Sequence, residues 1–137
     1  MTDSKDARRA LKDACLALLD SVAGEHPSGH QSKLAARYLI ISQSGERIGL
    51  MFEKHVSASA HVWISRHFAQ GLADGIVPVR EYKAEQLYQS VDTETEPTYG
   101  RHAALKSMRD MANNDLLRFT VESRGQLERI VSHLLAS

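Results

Sequence analysis

Residues 37–53 read RYLIISQSGERIGLMFE. Two apolar runs flank the turn-forming pair Ser44-Gly45, which is the pattern of a β-hairpin. With those two residues as the loop, Gln43 lies opposite Glu46, Ile41 faces Ile48, and Leu39 faces Leu50. Phe52 continues the same side. Turn chemistry and alternation thus select one register, and register decides which side chains share a face.

A third strand, His61 to Ser65, follows the small-residue loop Val56–Ala60. If that loop closes a second hairpin, His55 lies opposite His61, Phe52 meets Ile64, and Glu53 meets Trp63. The result is a three-strand meander. Upstream, residues 4–23 carry Ala7, Leu11, Ala14, Leu18 and Val22 at helical spacing. Ser4 is placed to cap that helix and Gly24 to end it in a left-handed conformation. Downstream, the pattern predicts a short helix over 66–73, a strand over 76–82 with Pro78 favouring a sheet edge, and about a turn of helix at 84–88. An acidic loop over 89–100 follows. A helix over 101–112 places Leu105, Met108 and Ala112 inward. A strand over 116–121 precedes a last helix that opens on the capping box Ser123-Arg124-Gly125-Gln126. Leu127, Ile130, Val131 and Leu134 form its apolar stripe. The expected fold is α+β. It is a single domain over residues 1–137, with a mainly antiparallel sheet of four to five strands covered by the N-terminal and C-terminal helices.

Composition narrows the functional classes. The chain has 137 residues, 17 basic and 17 acidic side chains, and 42% hydrophobic residues. That is ordinary for a globular domain and unlike the strongly basic balance of many nucleic-acid-binding modules. Charge is uneven along the chain: residues 33–68 hold five basic and two acidic groups, and residues 69–98 hold two and six. One cysteine, Cys15, permits no intrachain disulfide. No run approaches the ~18 apolar residues of a membrane span. A cytoplasmic protein without membrane attachment is expected.

Three places could carry chemistry. The first is the second face of the meander, where the register above sets Tyr38, Met51, Glu53, His55, His61 and Trp63. Tyr38 and Trp63 would stack a base or another ring. The competing reading is a helix laid over this face, with Trp63 as core. On the same face Glu53, His55 and His61 would converge on one ion. Two imidazoles and a carboxylate suit zinc or iron with an open position, and hence a metal-dependent hydrolase or nuclease; otherwise no cofactor is expected. The second place is the helix start Tyr99-Gly100-Arg101-His102-Ala103-Ala104-Leu105-Lys106. Arg101 stands beside a stripe of His102, Lys106 and Arg109 that would hold an anion. The third is Glu81-Tyr82-Lys83. The opening α-β-β-β-α-β order resembles that of the restriction-endonuclease core, and this triplet has the E-x-K spelling of its metal-dependent site. The triplet falls on the fourth strand rather than the third, however, and Asp74 stands too near to be the preceding acid. The family is therefore not assigned.

The functional expectation is a small binding domain for an anionic macromolecule, nucleic acid ahead of an acidic protein surface. Two other classes compete with it: the metal-dependent enzyme, and a non-catalytic adaptor that could form a homodimer through an edge strand.

Overall fold

The computed structural model describes residues 3–30, 34–55, 59–72, 77–84, 105 and 108–137. Helix α1 spans Asp3–Val22 and strand β1 Gly24–Glu25. Strands β2, β3 and β4 span Ala35–Ile41, Arg47–Glu53 and His61–Ser65. A 3₁₀ turn covers Arg66–Phe68. Strand β5 spans Val79–Tyr82, α2 Arg109–Ala112, β6 Leu116–Thr120 and α3 Arg124–Leu135. The strands form one six-stranded sheet in the order β1-β2-β3-β4-β6-β5, and every neighbouring pair is antiparallel. The architecture is α+β as expected, with more strands than the four to five read from the sequence. The short β1 is the addition. Gly24 does not end α1 in a left-handed turn; it pairs with Leu39 as part of β1. Ser4 lies inside the first turn of α1 rather than before it.

The first hairpin differs from its expected register by one residue. Ile40 pairs with Ile48, Leu39 with Gly49, and Tyr38 with Leu50. The cause is the loop. The Gly45 amide donates to the Ser42 carbonyl at 2.9 Å and the Ser42 amide to the Glu46 carbonyl at 2.9 Å. Gly45 has φ +89°. This is a three-residue loop, Gln43-Ser44-Gly45, whose last residue is left-handed; a two-residue loop would have split Ser44 and Gly45 evenly between the strands. The Ser42 hydroxyl adds a bond from the Glu46 amide at 3.0 Å.

The one-residue shift turns β2 over. Ala36, Tyr38 and Ile40 join Ile48, Leu50 and Phe52 on the first face. There they meet Cys15, Leu18 and Leu19 of α1 and Leu127, Ile130, Val131 and Leu134 of α3. The expected stripe of α3 is therefore its buried face, and Ser123 accepts from the Gln126 amide at 3.2 Å as its cap. The second face buries Ala35, Met51, Trp63, Tyr82 and Leu116 together with Leu105, Met108 and Met111. Sheet strands buried on both sides read as nearly continuous apolar runs, as residues 48–52 do. Pro78 precedes β5, which is an edge strand, and its carbonyl accepts from the Thr120 amide at 2.9 Å. Among the described residues no helix is long and apolar enough to cross a membrane.

Gly45→Ala should test the loop. No atom lies within 4 Å of the added Cβ, so the cost is the left-handed backbone alone. A loss of about 1–2 kcal/mol in urea unfolding is expected, and Gly45→Asn should lose less.

Candidate functional site

The proposed stacking pair does not share a surface. Tyr38 is 2% exposed on the first face, and its hydroxyl donates to Asp20 Oδ1 of α1 at 2.7 Å. Trp63 is fully buried on the second face. The register shift separates them, and Leu105, Met108 and Met111 cover the indole's neighbourhood. Trp63 is a core residue, as the competing sequence reading had it.

Glu53, His61 and Trp63 do come together. The second hairpin is shifted by two residues from the expected register: Met51 pairs with Trp63 and Phe52 with Val62. A shift of two preserves the face of every side chain. Glu53 Oε2 accepts from Trp63 Nε1 at 2.7 Å and lies 3.1 Å from His61 Nδ1. Glu53 is 6% exposed, so both contacts offset the cost of desolvating its carboxylate. Continuing the register sets His61 opposite Glu53, not opposite His55. His55 then lies beyond the strand end, and it is exposed. The expected Glu53/His55/His61 triad is thus a Glu53–His61 pair. Among the described residues no group of three or more His, Cys, Asp or Glu is arranged to hold a metal ion.

Beneath this pair sits Lys12 of α1, 2% exposed. Its ammonium donates to the Glu53 carbonyl at 2.7 Å and to the His55 carbonyl. It thereby satisfies backbone acceptors where the β3 ladder ends. Burial pushes Lys12 down to about 8, opposed by the Glu53 charge and assisted by Arg8. Cys15, one turn along, is fully buried. Burial raises its thiol to about 11, which makes it an inert packing residue rather than a nucleophile.

Of the expected basic helix start, only Arg109 lies in a described element. Arg101, His102 and Lys106 lie outside the described residues. Arg109 opens α2, and Met108 before it has φ −95° and ψ 77°, which is not helical. The continuous helix expected over 101–112 is therefore interrupted at Met108. Glu81-Tyr82-Lys83 lies at the end of edge strand β5. Lys83 Nζ is 3.0 Å from Glu81 Oε2 and 3.8 Å from Asp115 Oδ2, and Arg66 Nε is 3.4 Å from Glu81. These four groups balance one another in charge.

An arrangement not singled out in the sequence lies on the second face. One row of paired positions crosses five strands: Arg37, Met51, Trp63, Arg118, Arg80. At one end Arg37 is 8% exposed and donates to the carbonyls of Gly29 at 2.9 Å and Ser28 at 3.4 Å. At the other end Arg118 and Arg80 are direct neighbours on adjacent strands. Both guanidiniums lie over Tyr82, with Cζ to ring centroid distances of 5.4 Å and 5.1 Å. Arg118 also lies 5.9 Å from the Trp63 centroid. Trp63 and Tyr82 pack with centroids 4.7 Å apart. Arg118 Nε is buried and has no hydrogen-bond partner. Among the described residues neither arginine has an acidic partner. The sequence signal was faint, because Arg80 and Arg118 stand far apart in the chain and meet only through the β5–β6 ladder. Comparison with known proteins gives no relative: no family model, curated protein or solved structure matches the chain significantly.

Lys12 makes stability depend on pH with a definite sign. Its folded pKa lies below the ordinary 10.5. From about pH 8 upward the folded protein releases this proton while the unfolded chain keeps it, so stability rises with pH in that window. Urea unfolding at about pH 7.5 and 9 should show the native protein gaining about 1 kcal/mol relative to Lys12→Met. The opposite trend from Cys15, whose raised pKa removes stability above about pH 9, begins only at the top of this window. An equal pH response in the two would remove Lys12 as the titrating group.

Proposed function

We propose that this domain binds an anionic macromolecule, nucleic acid ahead of an acidic protein surface, and that Arg80 and Arg118 hold the anion. The observation that carries this reading is their direct opposition on β5 and β6 without a described carboxylate. Like charges facing each other across a ladder are destabilising by roughly 0.2–1 kcal/mol. Stacking on Tyr82 offsets part of that, at about 0.5–1 kcal/mol for each exposed cation. A phosphate bridging the two guanidiniums would add charge-assisted bonds of about 1.5–3 kcal/mol each and reverse the sign of the pair. Phosphate suits the site because an arginine fork matches its oxygens. Net neutrality of the chain makes this a contact of local complementarity rather than long-range steering. In the same reading the protein works in the cytoplasm, where a lone reduced cysteine is ordinary.

Fluorescence anisotropy with a labelled short oligonucleotide over a salt series tests the reading. Arg80→Ala/Arg118→Ala should weaken binding about tenfold or more and flatten the slope of log K against log salt by about 1.4 for a single strand. Absence of binding by the native protein at about 50 mM salt would refute the reading, as would a double variant with native affinity and slope. Binding of an acidic peptide but no oligonucleotide would move the assignment to a protein partner.

A further inference from the structure

Where β4 hands over to the 3₁₀ turn, a cleft of about 370 Å³ opens between Arg66, His67, Gln70, Asn114 and Asp115. It falls within the size of small-molecule sites, roughly 300–1,000 Å³. Its walls are fixed by the backbone: the Arg66 amide donates to the Asp115 carbonyl at 2.8 Å, Ala69 to Arg66 at 3.0 Å, and Asn114 to Met111 at 3.0 Å. Asp115 is held in place by the Ala84 amide, which donates to its Oδ1 at 2.9 Å.

The lining defines the ligand by exclusion. All five side chains are polar, so an apolar molecule would strand donors and acceptors. The charges around the cleft cancel, since Arg66 and Lys83 stand with Glu81 and Asp115. A free phosphate or carboxylate would meet Asp115 without a surplus of positive charge. What remains is a neutral group carrying both donors and acceptors. Two of the lining groups are flat. Arg66 supplies one, a planar guanidinium whose Nε lies 3.4 Å from Glu81 Oε2. His67 lies ring to ring with Phe68, centroids 4.0 Å apart. Guanidinium and imidazole planes stack unpaired bases, while side-chain amides and carboxylates read base edges. Glu81 adjoins Arg80 in the chain and Asp115 precedes Arg118 by three residues, but Glu81 pairs with Leu117 of the first face, so the cleft and the arginine pair lie on opposite sides of edge strand β5.

We propose that this cleft takes one unstacked nucleobase, with Arg66 and His67 against its face and Gln70, Asn114 and Asp115 on its edge. The ligand is then a single strand, because a base within a duplex cannot enter. This inference rests on the nucleic-acid reading above and assigns it a second contact with a distinct chemistry.

Nucleosides, which carry no phosphate, separate the two sites. Titrating each of the four ribonucleosides into isotope-labelled protein should shift the side-chain amide resonances of Gln70 and Asn114 saturably, in roughly the millimolar range or tighter. One nucleoside should exceed the others. Gln70→Ala and Arg66→Ala, both at exposed positions, should each weaken that binding several-fold while leaving the fold intact. Arg80→Ala/Arg118→Ala should leave it unchanged. If no nucleoside shifts these resonances while an oligonucleotide still binds through the arginine pair, the base cleft is wrong and the phosphate site stands. Nucleoside binding that survives both cleft variants would also overturn the assignment. If neither nucleoside nor oligonucleotide binds, both readings fall together.

Discussion

The left-handed backbone of Gly45 determines the inside and outside of this sheet. A side-chain period of two leaves no intermediate state: a strand either presents Tyr38 and Ile40 to the helices or presents Leu39 and Ile41. The three-residue loop chooses the first. The choice buries the Tyr38 hydroxyl against Asp20 of α1 and sends Arg37 to the second face, where the loop carbonyls of residues 28 and 29 receive it. Both faces of the central strands are then covered, so a charged group buried there needs a partner. Glu53 finds Trp63 and His61, and Lys12 finds the carbonyls at the end of β3. Arg118 Nε finds none.

That asymmetry along one row separates Arg37 from the arginine to which the proposal assigns the anion. Arg37 and Arg118 occupy equivalent places, flanking the Met51–Trp63 pair. Arg37 is saturated from within the chain. Arg118 faces a second arginine, and among the described residues aromatic rings lie beneath the two. A buried donor without an acceptor costs about 1–3 kcal/mol, more than a ring contact returns. Under the proposal above, an anion bonding the outer guanidinium nitrogens would offset the facing charges at this end of the row.

Much of the architecture was legible in the sequence. β3 and β4 have the bounds that alternation gave them, Pro78 marked an edge, and Ser123 caps the last helix through Gln126. The first register was not legible, and the reason is specific. Residues 38–41 are all apolar, so either parity buries a good stripe, and Ser44-Gly45 fits both a two-residue and a three-residue loop. The second register missed by an even number, which is why the proximity of Glu53, His61 and Trp63 survived while His55 dropped out. The helix expected over 101–112 is interrupted at one backbone conformation, that of Met108. The arginine pair was invisible for a different reason. Nothing local distinguishes Arg80 or Arg118, and only the antiparallel return of β6 between β4 and β5 brings them together.

The most direct measurement is the Nε–Hε resonance of each arginine, followed by NMR as a short oligonucleotide is added. The Arg118 signal, from a group without an acceptor among the described residues, should move saturably, and that of Arg80 should follow it. The Arg37 signal should stay, because its guanidinium is already engaged by carbonyls. A stationary Arg118 resonance in a sample where the oligonucleotide is demonstrably bound would contradict the account and place the working surface elsewhere.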